Sequence, residues 1–431
     1  VSGRLRVLLT NLTLASRTGT ELWVRDAALG LLRRGHEPVV YTPDPGPLAE
    51  ELRAATVPVV HDLGRIGAAP DLIHGHHQPA AVAALAWFPG VPALFVAHDW
   101  IAWHDAPPKL PRILRYVAVD RTNRDRLVLE NGVLEERVRV LLNWVDLERF
   151  RPRGPLPERP RRALVFSNYA RGETHLPAVA EACRRAGIPL DVVGAGAGKP
   201  ADRPEELLGE YDLVFAKARC ALEALAVGTA VVLCDHPGLG GMVTAARLDE
   251  LRELNLGART LQRPLSPDLL LAEIARYDAA DAAEVSRRVR ATAGLETALD
   301  ALLALYREVI EEFERSGPPD PETERRAFAG HLQTWASWAP WLRDRCWTLE
   351  AEKADLLARS RALETEKADL LAESRAFETE KADLLAESRA LEKEKAEAAA
   401  HLRDLEEELR ILRGSAAFRL RDALIRLRRR G

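Results

Sequence analysis

At 431 residues and 47% hydrophobic content, the chain is long enough for two large buried cores and an appendage. Its net charge of −4 argues against any general affinity for nucleic acid, and its cysteines, Cys183, Cys220, Cys234 and Cys346, have neither disulfide-framework density nor metal-site spacing, which points to a reducing cytosol. The opening VSGRLRVLLTNLTL is a strand-length apolar run without a signal-peptide cleavage pattern, and no stretch approaches the roughly 20 apolar residues of a membrane span.

Taken in order, Leu5 to Thr10 reads as a buried strand, followed by a polar loop to Gly19 and a helix from about Thr20 to Arg33. GHEPVVYTP returns as a second strand, and apolar strands recur at Leu72 to His74, Ala93 to Ala97 and Tyr116 to Val119. That alternation predicts an open parallel sheet covered on both faces. VRVLLNWVD, Val138 to Asp146, closes this first domain of residues 1–150, and the Pro- and Arg-rich RFRPRGPLPERPRR is a linker. The pattern restarts with the strand ALVFSNYA, the helical LPAVAEACRRAGI and the strand LDVVGAG. It ends in the amphipathic ETALDALLALYREVIEEFE, giving a second α/β domain over 151–315. Two such domains imply a cleft between them, a common place for ligands.

Within the second domain, Tyr211 to Asp235 is a βαβ unit. Strand Leu213 to Ala216 leads through a basic loop with Lys217 and Arg219 into a helix stopped by Gly228, and strand Ala230 to Cys234 follows. The helix has one acid, Glu223, set among Ala and Leu. Such a carboxylate either points to solvent or needs a partner, and the pattern alone leaves both open. His98 and Asp99 follow a strand, where a parallel sheet presents side chains to the cleft. His74, His76 and His77 cluster without a carboxylate, and no Asp-x-Asp pair occurs, so neither a metal nor another cofactor is expected.

Past Glu314 the composition changes. Residues 316–345 read as a linker holding Trp335, Trp338 and Trp341, with Trp347 just beyond; their helical spacing indicates packing against the body or a second copy. A repeat of fourteen residues follows, in which Leu349, Leu356, Leu363, Leu370, Phe377, Leu384 and Leu391 recur every seven. With no Gly or Pro between them, this predicts one long helix and a coiled coil over 346–412 through which the chain self-associates. If these residues form the d seam, Lys353, Ser360, Lys367, Ser374, Lys381 and Ser388 occupy the a seam and weaken it, while Leu402, Leu405, Leu409 and Leu412 fill both. A solvated single helix is the rival reading. The tail, 413–431, sets Phe418, Leu420, Leu424, Ile425 and Leu427 among seven arginines. That fits an anionic membrane surface; RNA binding and a merely solvated basic tail are the alternatives.

Several of these pieces resemble the retaining glycosyltransferases of GT-B architecture, in particular the family-four group that uses nucleotide-sugar donors. GTELWVRDAALGLLRRGHEPVVYT resembles the family's glycine-bearing first loop, helix and second strand, and DLIHGHH and FVAHD its first-domain histidine segments. VRVLLNWVDLERFRP resembles its interdomain Asn-x-Val-Asp segment and LEALAVGTAVV its donor-site helix, so that the resemblance covers about residues 4 to 315. It implies an α/β fold of two Rossmann-like domains facing a cleft, here followed by the coiled coil. It also implies that Glu223 holds the donor's ribose hydroxyls and that Gly19, Thr20, Gly238, Gly240 and Gly241 let backbone approach the diphosphate. Asn168 joins that donor side. His98 would contact the transferred sugar without acting as a nucleophile, and His74, His76, His77 and Asp99 would line the acceptor side.

Departures from the family accompany the matches. The family's Arg and Lys after the first strand of the second domain are replaced by SNYARGETH, in which only Arg171 is cationic, and the family's second carboxylate falls on Phe215. Lys217 and Arg219 supply the missing charge by another route or form an ordinary solvated turn. Trp144 stands where the family prefers Gly. The expectation is a retaining hexosyl-type transferase, cytoplasmic or peripheral at the inner membrane surface, acting on a surface-glycan or lipid-linked acceptor. The alternative is a catalytically degenerate scaffold for a polysaccharide-synthesis complex.

Overall fold

The computed structural model describes residues 3–414, 421 and 424–426, and the chain divides into two compact units at Thr334/Trp335. Short apolar runs make the strands of the first sheet. β1 (Arg6–Thr10) buries every residue but its first. α1 (Gly19–Arg33) opens after the extended Thr18 with Glu21 in its first turn. Then come β2 (Glu37–Tyr41), α2 (Pro47–Ala54), the short β3 (Val59–Val60), β4 (Leu72–His76) and α3 (Gln78–Trp87). β5 (Ala93–Ala97), β6 (Ile113–Ala118), α4 (Arg121–Asp125) and β7 (Val138–Val140) complete it. The strands form one parallel sheet in the order β3-β2-β1-β4-β5-β6-β7. Every residue of β4, β5 and β6 is buried, as central strands covered on both faces must be. Strand order reverses between β1 and β4, and such a switch point opens a crevice at the carboxyl ends of the strands.

The second sheet repeats the plan. β8 (Ala163–Phe166), α5 (Leu176–Ala186), β9 (Leu190–Val193), α6 (Pro204–Leu207), β10 (Leu213–Ala216) and α7 (Ala218–Val227) lead to β11 (Ala230–Asp235) and β12 (Gly238–Met242). α8 (Leu248–Glu253), α9 (Pro267–Ile274) and α10 (Ala279–Thr292) follow. The order is β12-β11-β10-β8-β9, parallel except for β12, and its switch point lies between β8 and β10. Gly238, Gly240 and Gly241, expected in a phosphate-binding turn, instead lie in β12, where all three are buried. A Cβ on Gly238 would stand 2.6 Å from the Leu261 carbonyl oxygen, and one on Gly240 2.9 Å from the Leu233 side chain. Glycine is needed here because neighbouring chain passes too close for any side chain.

The chain crosses between the sheets twice, and the crossings touch: Val145 N donates to Ala293 O (2.8 Å) and Leu295 N to Val145 O (2.9 Å). α11 (Leu295–Ser316) then leaves the second sheet. Its Leu295, Leu299, Leu302, Tyr306 and Val309 are buried in the core of the first. The last helix of residues 151–315 thus completes the first domain, which the linear pattern did not show.

α12 (Pro321–Gly414) makes the expected linker helical from Pro321 onward. Its Glu324 pairs with buried Arg112, which also donates to the carbonyls of Leu85, Phe88 and Val91. Along the repeat, the seven-residue line from Leu349 to Leu391 is 47% to 70% exposed. Among the described residues no helix is long and apolar enough to cross a membrane. Most of the basic tail, including Phe418, Leu420, Leu427 and Arg428 to Arg430, lies outside the described residues.

Candidate functional site

Titratable side chains gather where the strands of the first sheet end. His74 and His76 alternate with Gly75 along β4 and so share one face. Together with His98, just past β5, they form a column with ring centroids 4.5 Å and 4.9 Å apart. His76 Nδ1 and His98 Nε2 lie 2.7 Å apart and share one proton, while His74 Nδ1 lies 2.5 Å from the Tyr306 hydroxyl of α11. Trp23 of α1 meets all three imidazoles and packs 4.2 Å from Trp144. His74 and His76 are fully buried, so they underlie His98 and do not line an acceptor surface; only His98 of the three reaches solvent. Burial pushes His74 down to about 3 and drives His76 and His98 well below the usual range, with neighbouring histidines adding to the effect. The column is therefore neutral at pH 7.

His77 is also buried, its Nδ1 accepting from Leu12 N (3.3 Å), and burial holds it at about 3. Asp99 is exposed but turned inward on its own loop, its Oδ1 accepting from Ile101 N (2.7 Å) and Ala102 N (2.8 Å). Buried Asp105 accepts from the backbone N–H groups of His98 and Asp99, and burial pushes it up to about 7. These bonds fix the loop that holds His98 in place.

A second cluster, of which the sequence singled out Lys217 but not Asp235 or His175, lies at the carboxyl edge of the second sheet. Buried Asp235 ends β11 and is met by Lys217 Nζ (3.2 Å), Ser167 Oγ (3.2 Å), His236 N (2.7 Å) and His175 Nδ1 (3.4 Å). Lys217, from the β10–α7 turn, also stands 4.7 Å over the Tyr169 ring. Neither ring nitrogen of fully buried His175 makes a hydrogen bond among the described residues. Asn168 is exposed, its Oδ1 accepting from Ala195 N (3.0 Å), and Arg171 is exposed with no ion pair among the described residues. An acid closing the apolar run AVVLCD was the signal available for Asp235. Both switch-point turns hold a non-glycine residue in the left-handed region, His77 (φ 52°) and Ala218 (φ 49°). Strain of this kind concentrates at ligand sites.

Glu223 resolves in favour of a partner. It is 4% exposed, and its Oε1 accepts from Arg219 Nε (2.8 Å) one turn back on α7. Arg219 Nη2 also reaches Asp26 Oδ2 of α1 (2.5 Å), so this side chain is no solvated turn residue. Arg25 holds the other oxygen of Asp26 at 2.5 Å. Burial raises Glu223 above the usual carboxylate range against the pull of Arg219; burial also acts upward on Asp26, but Arg219 and Arg25 outweigh it and hold that carboxyl low. Trp23 and Asp26 lie one turn apart on α1, so a single helix face touches His98 on one side and the Glu223 network on the other. Gly19 and Thr20 open that helix, Gly19 exposed with open space where a Cβ would go. A cleft of about 350 Å³ is lined by Arg25, Asp26, Glu51, Arg149 and Glu205 but not by His98, Lys217 or Glu223. Among the described residues no group of three or more His, Cys, Asp or Glu is placed to hold a metal ion.

Residues 17–149 match the family model described as Glycosyltransferase Family 4. A search of curated proteins finds no match. Among solved structures, a glycosyltransferase from Rickettsia africae ESF-5 superposes with a TM-score of 0.54 at 15% identity, covering 71% of this chain and 99% of its own. Anabaena HepE in complex with UDP and glucose gives 0.51 at 15% identity, covering 71% and 100%. At such identity the likeness establishes the fold, two Rossmann-like domains in the GT-B arrangement.

Proposed function

We propose that this chain, a GT-B fold whose residues 17–149 match Glycosyltransferase Family 4, transfers a sugar from a nucleotide-sugar donor to a glycan or lipid-linked acceptor. The reading is carried by the contacts of α1: Trp23 lies against His98 and Asp26 against the Arg219–Glu223 pair, between the two switch points. Glu223 takes the ribose hydroxyls, exchanging part of its bond to Arg219 for them. Lys217 and the exposed Arg171 face the diphosphate, where positioned cations stabilise the departing charge. His98, its Nε2 occupied by His76, turns its other ring nitrogen to the sugar. Transfer proceeds with retention by front-face displacement, without a protein nucleophile. The chain self-associates through 346–412 and meets an anionic membrane at the cytoplasmic face through 413–431; co-sedimentation with anionic vesicles, lost on neutralising the tail arginines, tests the last point.

A second reading, an inactive scaffold, is favoured by Arg219 already filling Glu223 and by the burial of Gly238, Gly240 and Gly241 in β12. UDP-glucose is the first donor to try, since a structure of HepE holds it. Lys217→Ala is expected to lower donor turnover by about 10²- to 10³-fold, as removal of one transition-state donor does. Glu223→Ala is expected to raise KM. Absence of both binding and turnover across the common nucleotide sugars selects the scaffold.

A further inference from the structure

We propose that the exposed leucine line of α12 is covered by a second copy of this chain, parallel and in register in a two-stranded coil that brings Cys346 against its own copy. This rests on the self-association proposed above and adds partner number, orientation and register to it.

With Leu349 at d, Cys346, Lys353, Lys367, Lys381 and Lys395 fall at a. Between Glu350 and Glu394, every charged residue at e and g except Arg359 is acidic. An antiparallel pair sets g against g, acid against acid along most of the coil. In a parallel pair g meets the partner's following e, so that Glu352, Glu366 and Glu380 meet leucines, Arg359 meets Glu364, and only Glu373 and Glu387 meet the acids Glu378 and Glu392. A parallel pair sets each a-position lysine beside the partner's preceding g position, and these are Glu352, Glu366, Glu380 and Glu394. Charge at e and g chooses orientation in coiled coils, and a polar residue at a favours a defined register over higher association. Leu357, Leu371 and Leu385 at e, 50% to 51% exposed, broaden the apolar stripe that a lone helix would leave in water. Within one chain the charges are loosely engaged, as in Lys381–Glu378 at 3.7 Å with both side chains mostly exposed, and are free to be exchanged. Register is set by the far end. A slip of one fourteen-residue repeat leaves the repeats matched but places Leu402 and Leu409 opposite a-position residues other than their own copies.

Cys346 supplies the test. It is exposed, whereas Cys183 and Cys234 are buried and Cys220 is partly buried. In parallel register a meets a across the seam, within the roughly 4.4–6.8 Å between Cα atoms that a disulfide needs. In an antiparallel pair a meets d, and two Cys346 residues stand on the order of 100 Å apart if the coil spans 346–412. The full-length protein is sized by analytical ultracentrifugation and oxidised with copper-phenanthroline in air at several dilutions. Cys346→Ser carrying either Ser360→Cys or Ser388→Cys repeats the oxidation at two other a positions. A dimer whose cross-linking at all three positions approaches completion, at a rate independent of dilution, is the expected result. A dimer that cross-links at none of them overturns the orientation while leaving self-association standing. A monomer overturns both, and a trimer overturns the two-stranded coil.

Discussion

Arg219 is a single cation divided between two buried carboxylates, Asp26 on α1 and Glu223 on its own helix. Removing one partner of a buried network leaves charge without compensation, and the cost is about 3–5 kcal/mol. Arg219→Ala should lose that much in urea unfolding; a loss below 1 kcal/mol would show that the network is not closed in solution. The histidine column gives a second prediction. His74, held neutral at about 3 by burial, binds its proton far later in the fold than in the unfolded chain, where the value is about 6.5. The unfolded chain therefore gains protons first, and stability drains away as pH falls from about 6.5 towards 3, by up to ~1.4 kcal/mol per pH unit. Asp105, pushed up to about 7, works in the opposite sense, giving stability that fades as pH rises through that value. Comparing wild type with His74→Phe isolates the first effect. The variant should start less stable, because the Tyr306 hydroxyl loses its partner, yet fall more gently between pH 6 and 4; parallel curves would refute the assignment.

The glycines of β12 serve packing, whereas Gly19 at the start of α1 has open space beside it. Gly240→Ala drives a Cβ into Leu233 and the Thr260 carbonyl, and overpacking of this kind costs about 1–3 kcal/mol. Gly19→Ala meets open space and should leave the melting temperature within a degree or two while raising KM for the donor. Thermal melts and donor kinetics on the two variants should thus separate cleanly. The same element shows where sequence reading stops. β1, β5, β10 and β11 were legible because a strand buried on both faces reads as a short, nearly continuous apolar run. GLGGM has no such signature; it becomes a strand through its hairpin with β11 and the close passage of Leu261 and Arg263 backbone, which only the folded chain brings near. Glu223 was legible as a buried-acid problem, but the pattern set its partner Arg219, one turn back, towards the diphosphate or solvent, because Asp26, which fixes Arg219 in place, lies nearly two hundred residues away. His74 and His76 were visible as a cluster, yet their burial depends on Trp23 and Tyr306, remote in sequence.

At the scale of the whole molecule the two sheets are not independent. α11 comes after the second sheet but is packed into the first, with Leu299 close enough that a Cβ on Gly30 would stand 2.4 Å from it. Leu299→Ala should cost about 2–5 kcal/mol. It should lower one shared unfolding transition, followed by tryptophan fluorescence, to which residues 151–315 contribute nothing, and by far-ultraviolet circular dichroism, to which both sheets contribute; early loss of one domain would show that the crossings do not couple them. The hydrogen bonds joining Val145 to Ala293 and Leu295 hold the two passages side by side.

Such interlacing also governs how the polypeptide can be recombined. A chimaera joined once, near residue 150, would graft a foreign sheet together with a foreign lid for the resident one, and the mismatch would fall under Trp23 and His74. Exchange demands two seams, one at each passage, so that α11 travels with the strands it roofs. By the same logic, a protease nick between 151 and 161 should leave fragments that stay clasped until denatured, because the later piece carries a helix the earlier piece has swallowed.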